Sequence, residues 1–305
     1  MASLGALSAP QAGTSPPPLT LTETWKAGAG VTLNDAPCGI GEASPVEFND
    51  SGTPAVEVGD REGDLYGLKL ADGSVAAGWG SGQGASVGSA DGCTVTNPGA
   101  GTPATGLNGI EVQGSPPIDS TASIDPNNGD LYFGGGNAAS PVDGGYYAYA
   151  PNGGQVWNQV VTNPSTDTAS DGGVQASLSI GNGGSLVEGG SLGQETYALN
   201  SANGAPAPGW PQFSADSVFS TAAVGDLYGT GSDDFVAGGA QSSGFAYGTH
   251  YTDGGHVRIY NDHGGLICRA TTNEEVDSSP AVGPILPGGA YGIATGTGSF
   301  FPGAS

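Results

Sequence analysis

Short runs in which apolar residues alternate with small or polar ones recur along this chain, and glycine or proline breaks up nearly everything between them. Only residues 212–224 and 266–279 go long without either residue. Neither stretch carries an apolar stripe at helical period, so the pattern predicts essentially no helix. The runs come in sets of four. The first of each set is small and alternating (44–48, 121–124, 175–180, 221–224 and 279–282), as suits strands crowded around an axis. The second is apolar and ends in glycine (55–59, 131–134, 186–189 and 235–238, with 291–294 as a fifth copy), as expected of strands buried on both faces. The third alternates about an aromatic or branched residue (65–68, 147–149, 197–199 and 257–260).

A tight turn follows each third run. Asp72-Gly73, Asn152-Gly153, Asn203-Gly204 and His263-Gly264 supply the positive φ values that short hairpins require. The fourth run closes on Trp79, Trp157 and Trp210, with Cys268 in the equivalent place. Trp25, at the end of 19–24, fits an orphan fourth strand from an earlier unit.

A four-run unit repeated without helices implies an all-β chain, a β-propeller of four-stranded blades. The blades run roughly 43–79, 118–157, 174–210 and 219–268, with a Gly/Ser/Ala-rich insert near 80–116 and a partial fifth blade over 278–305. About five blades are then present, the pattern of a fragment of a seven- or eight-bladed ring. If the Trp25 strand completes the last blade, the same pattern describes a five-bladed ring. Residues 1–18 read as a disordered leader or the remnant of a secretory signal, and 19–305 as the propeller.

Gly 58 and Pro 22 among 305 residues approach the composition of low-complexity disorder, but 11 Tyr, 8 Phe and 4 Trp placed periodically inside the runs argue for packed structure. Lys and Arg number 5 against 29 acidic residues, a net charge of -24, which excludes binding to a nucleic-acid backbone and makes anionic membranes poor partners. No apolar run reaches bilayer length. Cys38, Cys93 and Cys268 show neither Cys-x-x-Cys nor metal-finger spacing. Cys38 and Cys93 sit in glycine-rich connections flanking the same repeat, so a disulfide between them in an oxidising compartment is expected. Cys268 is left over, with a partner expected in sequence beyond Ser305. These features together point to a secreted, extracellular protein.

The wording of the repeat, from Tyr197 through Asn203-Gly204 to Pro208-Gly209-Trp210, and again at Ser279-Pro280-Ala281-Val282-Gly283, resembles bacterial propellers of the quinoprotein-like (PQQ repeat) superfamily, overlapping with FG-GAP repeats. The resemblance covers roughly residues 19–298. It implies that Trp25, Trp79, Trp157 and Trp210 dock between blades as structural residues. That fold hosts dehydrogenases, assembly scaffolds and carbohydrate-active proteins, so the resemblance leaves activity open. A quinone-dependent dehydrogenase of this type would hold its cofactor with calcium in the axial channel, beside a catalytic carboxylate and commonly a pair of adjacent cysteines. Adjacent cysteines do not occur here, no catalytic aspartate maps onto a matching motif, and eight blades exceed this length.

Several smaller motifs remain. The segment from Asp226 to Asp234 resembles the FG-GAP calcium loop, in which Asp226, Thr230 and Asp234 would be the ligands and Tyr228 takes a carboxylate's place; the alternative is a bare hairpin turn. The segment from Asp125 to Asp130 reads as a turn. Gly-x-Ser-x-Gly occurs at Ser86 and Ser191, but neither leads into the helix that a nucleophile elbow needs. His250, His256 and His263, beside Asp253 and Asp262, lack ligand spacing and read as turn and strand-edge residues. Tyr146, Tyr147 and Tyr149 suggest a sugar-stacking platform, but alternation favours packing. No catalytic residue is assigned.

The sequence therefore reads as a secreted non-enzymatic β-propeller acting as a binding or scaffold module at the cell surface or outside the cell, toward a protein or a cell-surface polysaccharide. Loops after the second strands, from Asn137 to Asp143 and from Gln241 to Asp253, would carry specificity. The alternative is a PQQ-dependent-dehydrogenase-like oxidoreductase in the full-length protein, holding PQQ with calcium. A third reading is a structural spacer in a longer polypeptide.

Overall fold

A computed structural model describes residues 42–61, 63–79, 110–111, 118–136, 144–161, 173–246 and 248–298. The leader, Trp25, Cys38, Cys93, Ser86 and the loop at 137–143 lie outside the described residues. Within them the chain is all-β, with two short 3-10 turns at Asn182–Gly184 and Pro287–Gly289, and no helix is long and apolar enough to cross a membrane.

Sheet one comprises β1 (Val46–Asp50), β2 (Thr53–Gly59), β3 (Asp64–Lys69) and β4 (Ile110–Glu111). Sheet two follows with β5 (Ser123–Ile124), β6 (Leu131–Gly135), β7 (Gly145–Tyr149) and β8 (Gln155–Val160), and sheet three with β9 (Ser179–Gly181), β10 (Leu186–Gly190), β11 (Glu195–Asn200) and β12 (Gln212–Phe213). Sheet four begins with β13 (Ala223–Gly225) and β14 (Asp234–Gln241). A separate hairpin of β15 (Gly244–Ala246) and β16 (Thr249–Tyr251) intervenes before β17 (Gly254–Asn261) and β18 (Leu266–Thr272) complete the sheet. A two-stranded sheet of β19 (Ala281–Gly283) and β20 (Gly292–Ala294) comes last. Every pairing is antiparallel between neighbours, so the four-stranded sheets are successive meanders.

The second strands are buried along most of their length, β6 and β14 completely, as their apolar sequence predicts. Gly73, Gly153, Gly204 and Gly264 all take positive φ in the turns where Asp-Gly, Asn-Gly and His-Gly pairs place them. The fourth strands differ from expectation. Among the described tryptophans only Trp157 lies within a strand, β8; Trp79 and Trp210 follow single bridges, Leu68 to Val75 and Leu199 to Pro206. In sheet one the paired outer strand is β4, on the far side of the glycine-rich insert, where Glu111 and Ile110 oppose Asp64 and Leu65. Trp79 is taken up by packing instead of strand pairing: its ring lies over Gly67 on β3, and Gly78, at φ +83, lies against the Asn152 carbonyl of the next sheet.

The sheets pack face to face in chain order. One core cluster joins Phe48, Leu65 and Trp79 of sheet one to Leu131, Phe133, Tyr147 and Tyr149 of sheet two. The next joins Tyr132, Tyr146 and Trp157 to Val187, Tyr197 and Leu199 of sheet three, and another joins Ala198 and Trp210 to Phe235 and Tyr260 of sheet four.

Three kinds of contact, two of them polar, repeat at these interfaces. The indole Nε1 of Trp79 donates to the Pro151 carbonyl at 2.7 Å, that of Trp157 to Ser201 at 2.7 Å and that of Trp210 to Asp262 at 3.1 Å, each time in the tight turn of the following sheet. At the entry to the first strands, the Ser44 amide donates to Thr121 Oγ1 at 2.9 Å, the Thr121 amide to Ser177 Oγ at 2.9 Å and the Thr221 amide to Ser279 Oγ at 3.0 Å. Where each second strand ends, Gly59, Gly134, Gly190 and Gly238 lie so close to Ile118, Val174, Val218 and Val276 of the next connection that a side chain would collide with them.

Candidate functional site

An antiparallel meander sends its turns alternately to its two ends. The tight turns that receive the tryptophans lie at one end of each sheet, and the loops between second and third strands share the other end with the connections between sheets. Among the described residues, the second end carries the β15–β16 hairpin, where Gly244 opposes Tyr251 and Ala246 opposes Thr249.

The sequence holds this hairpin firmly. Gln241, buried at the end of β14, donates through Nε2 to the Thr252 carbonyl at 2.6 Å, and its Oε1 accepts from Arg269 of β18. The Ser243 amide donates to Asp253 Oδ1 at 2.7 Å, and Ser242 Oγ to Asp216 of the preceding connection. Tyr251 meets Phe213 of sheet three edge to face at 5.7 Å, while the Arg269 guanidinium lies 5.7 Å from the same tyrosine's ring centre. Thr249 and His250 are exposed.

Carboxylates surround it. Partial burial, then the neighbouring Asp277, Asp216 and Glu274, hold Glu275 above the usual carboxylate range, and burial raises Asp277 as well. Farther round the same end, Arg61 bonds Asp119 at 2.8 Å and lies 3.6 Å from Glu42, whose other oxygen accepts from Gln175 Nε2 at 3.3 Å. This end therefore offers a carboxylate-rich rim interrupted by Arg61 and Arg269, with hydroxyls and an aromatic edge on the hairpin. Such a surface presents hydrogen-bonding groups and charge to solvent.

The remaining sequence-derived candidates are scattered. Asp226 and Asp234 lie at the opposite end, Asp226 in the turn between β13 and β14 and Asp234 at the start of β14. Asp226 accepts from the amides of Thr230 at 2.8 Å and Gly231 at 2.9 Å, and Asp234 from the amide of Leu227 at 3.0 Å. These amides, that of Gly231 foremost, hold the Asp226 carboxyl below its ordinary range. The protein's own N–H groups thus shape the loop. Among the described residues no group of three or more His, Cys, Asp and Glu side chains is placed to hold a metal ion.

Asp125 likewise accepts from the Asn127 amide at 2.8 Å, within a turn. Ser191 is fully buried and its Oγ donates to the Glu195 carbonyl at 2.7 Å, which is no environment for a nucleophile. The three histidines do not converge: His250 is on the hairpin, His256 is buried in β17 and His263 bonds Asp262 at 2.6 Å in a distal turn. Tyr146, Tyr147 and Tyr149 are all buried, with Tyr146 donating to the Gly189 carbonyl at 2.7 Å, so they form no platform. Cys268 is exposed on β18 with a free thiol.

Sequence reasoning missed the Gln241–Arg269–Tyr251 anchor, since it joins residues from three separate strands. It also missed that the 241–253 loop is paired strand; Gly244 and Gly248 concealed the alternation there.

No protein-family model matches the chain, and neither does any curated protein. Solved structures resemble it in part. BamB from Moraxella catarrhalis aligns with a TM-score of 0.42 at 16% identity, covering 79% of this chain and 53% of that one. The quinohemoprotein alcohol dehydrogenase from Comamonas testosteroni gives 0.46 at 14%, covering 71% and 34%, and a europium-containing methanol dehydrogenase gives 0.41 at 13%, covering 65% and 39%. The chain spans between about a third and a half of the length of these three proteins.

Proposed function

We propose that the chain is a non-catalytic binding or scaffold module, built from consecutive propeller blades and working at the cell surface or outside the cell. The observation that carries this reading is the anchored β15–β16 hairpin. Sheet four closes its own β14–β17 ladder without it, yet Gln241, Asp253, Arg269 and Phe213 are all committed to holding it in one orientation. An insertion that the core does not need, held rigidly beside a hydrogen-bonding rim, is suited to recognition. The partner class is a protein or a cell-surface polysaccharide. The Cys38–Cys93 bridge belongs to the same proposal and is checked by intact mass with and without reductant.

The test replaces residues 243–251 with a short Gly-Ser turn. Capture of the intact chain on arrays of cell-surface polysaccharides and on extracellular protein fractions identifies the partner. The shortened variant is expected to keep its thermal midpoint and lose capture. Undiminished capture removes the hairpin from the binding site and the proposal with it.

A further inference from the structure

Sheets two, three and four each have one face covered by the sheet before it. In sheet two that face carries Phe133, Tyr147 and Tyr149, in one cluster with Leu65 and Trp79 of sheet one. In sheet three it carries Tyr197 and Leu199, and in sheet four Phe235 and Tyr260, again in clusters shared with the preceding sheet. Register identifies the matching residues of sheet one, counting back from Gly59 and Gly134, which meet Ile118 and Val174 in the same way. Val58 pairs with Tyr66 as Phe133 does with Tyr147, and Val56 with Leu68 as Leu131 does with Tyr149. These four side chains alternate with Leu65 and Gly67, so they stand on the face of sheet one turned away from sheet two.

No described sheet precedes sheet one, yet this face is closed. Val58, Tyr66 and Leu68 are buried, Tyr66 to 1% exposure. Among the described residues the cluster of Val58 and Tyr66 adds only Ala43. At the last pair of strands the opposite holds: Tyr291 and Ile293 are exposed, Tyr291 to 59%. A covering segment therefore belongs on sheet one and not on β20.

The later sheets show what such a segment brings. The indoles of Trp79, Trp157 and Trp210 donate to Pro151, Ser201 and Asp262, in each case the second residue after Tyr149, Leu199 or Tyr260. Leu68 holds that position in sheet one, which makes the Leu70 carbonyl the matching acceptor. The three tryptophans precede their acceptors by 72, 44 and 52 residues. Trp25, at the end of the alternating run 19–24, precedes Leu70 by 45. Residues 26–41 connect it to Glu42, whose amide is tied to Asp119 at 3.4 Å. Extended, they reach on the order of 50 Å, against roughly 10 Å between face-packed sheets.

We propose that residues 19–25 lie against this face of sheet one, with the Trp25 indole Nε1 donating to the Leu70 carbonyl. The contact continues the series of three interfaces that follows it, and it closes this end of the stack to other partners.

Amide and indole hydrogen exchange on the whole chain tests the proposal. The Trp25 indole N–H is expected to exchange on the slow scale of Trp79, Trp157 and Trp210. Trp25→Phe should speed amide exchange across residues 64–74 about fivefold, the effect of one lost hydrogen bond. Trp25→Ala should speed it on the order of a hundredfold, through the added loss of packing. Both should leave residues 179–272 unchanged. A Trp25 indole that exchanges like free tryptophan, or variants that leave 64–74 unaffected, overturn the proposal. Faster exchange at 281–294 instead would place the segment beside β20, and protection that appears only at high protein concentration would place it on a second copy; either result also overturns it. Should Trp25→Ala not fold, Trp25→Phe and the parent indole decide.

Discussion

Trp157 and Ser201 tie sheets two and three together: the indole Nε1 donates to the Ser201 carbonyl at 2.7 Å, and the ring occupies the space that a Cβ on Gly204 would enter. Trp157→Phe keeps most of the apolar contact but loses the hydrogen bond, and is expected to cost about 1 kcal/mol. Trp157→Ala is expected to cost about 3–5 kcal/mol through the cavity it leaves. Gly204→Ala combines positive φ with a collision and should approach the larger loss. Urea denaturation measures all three, and a harmless Gly204→Ala would refute the close approach.

Glu57 and Glu188 are both pushed up to about 8 by burial, from an ordinary value near 4.5. Their folded-state values lie above their unfolded ones, so the stability they contribute is complete below about pH 4.5 and is lost as pH rises through about 8. Tyr146 and Tyr260 are the ionisable groups on which the Glu188 charge acts. The loss is on the order of a few kcal/mol per carboxyl. Stability measured from pH 4 to 9 should decline for the parent chain and flatten stepwise in Glu57→Gln and in the double variant with Glu188→Gln.

The hydroxyls that accept amides between sheets give a milder effect. Ser177→Ala removes the acceptor of the Thr121 amide and is expected to cost about 1 kcal/mol, whereas Thr121→Ser, which keeps the acceptor for Ser44, should be nearly neutral. Chemical denaturation of the two variants side by side checks the difference.

Arg269→Ala removes both the donor to Gln241 and the cation over Tyr251. The hairpin should then be cut by protease at 243–252 well before the rest of sheet four, with little change in the global midpoint. Equal resistance in parent and variant would show that Arg269 does not hold it.

Asp226 orders the 226–234 loop through the amides of Thr230 and Gly231. Asp226→Ala is expected to increase amide exchange across that loop. A chelator should leave exchange in the parent chain unchanged, and a chelator-induced rise equal to that of the variant would show calcium bound there.

The strands were legible in sequence because burial on two faces demands apolar second runs, and because a two-residue turn demands glycine at positive φ, as at Gly73 and Gly153. The fourth strand of sheet one was not. Val75 and Trp79 stand where β8 has its strand, and nothing local reveals that Ile110, beyond a long insert, takes over the pairing with Leu65. Glu57 and Glu188 were plain to see within their second runs, but their burial without partners depends on what the neighbouring sheet brings to them. The 241–253 loop stood out in the sequence as a long connection, while its paired architecture was hidden. Gln241, Tyr251 and Arg269 are far enough apart in sequence that no local pattern connects them.

The repeated contacts all point one way along the chain. Trp79, Trp157 and Trp210 donate to the sheet that follows, as do the amides of Ser44, Thr121 and Thr221, so these repeated donors run from each sheet to its successor. The stack is therefore polar, like a row of hands each reaching forward. Each of these interfaces is therefore complete only once the following sheet has folded against the one before it.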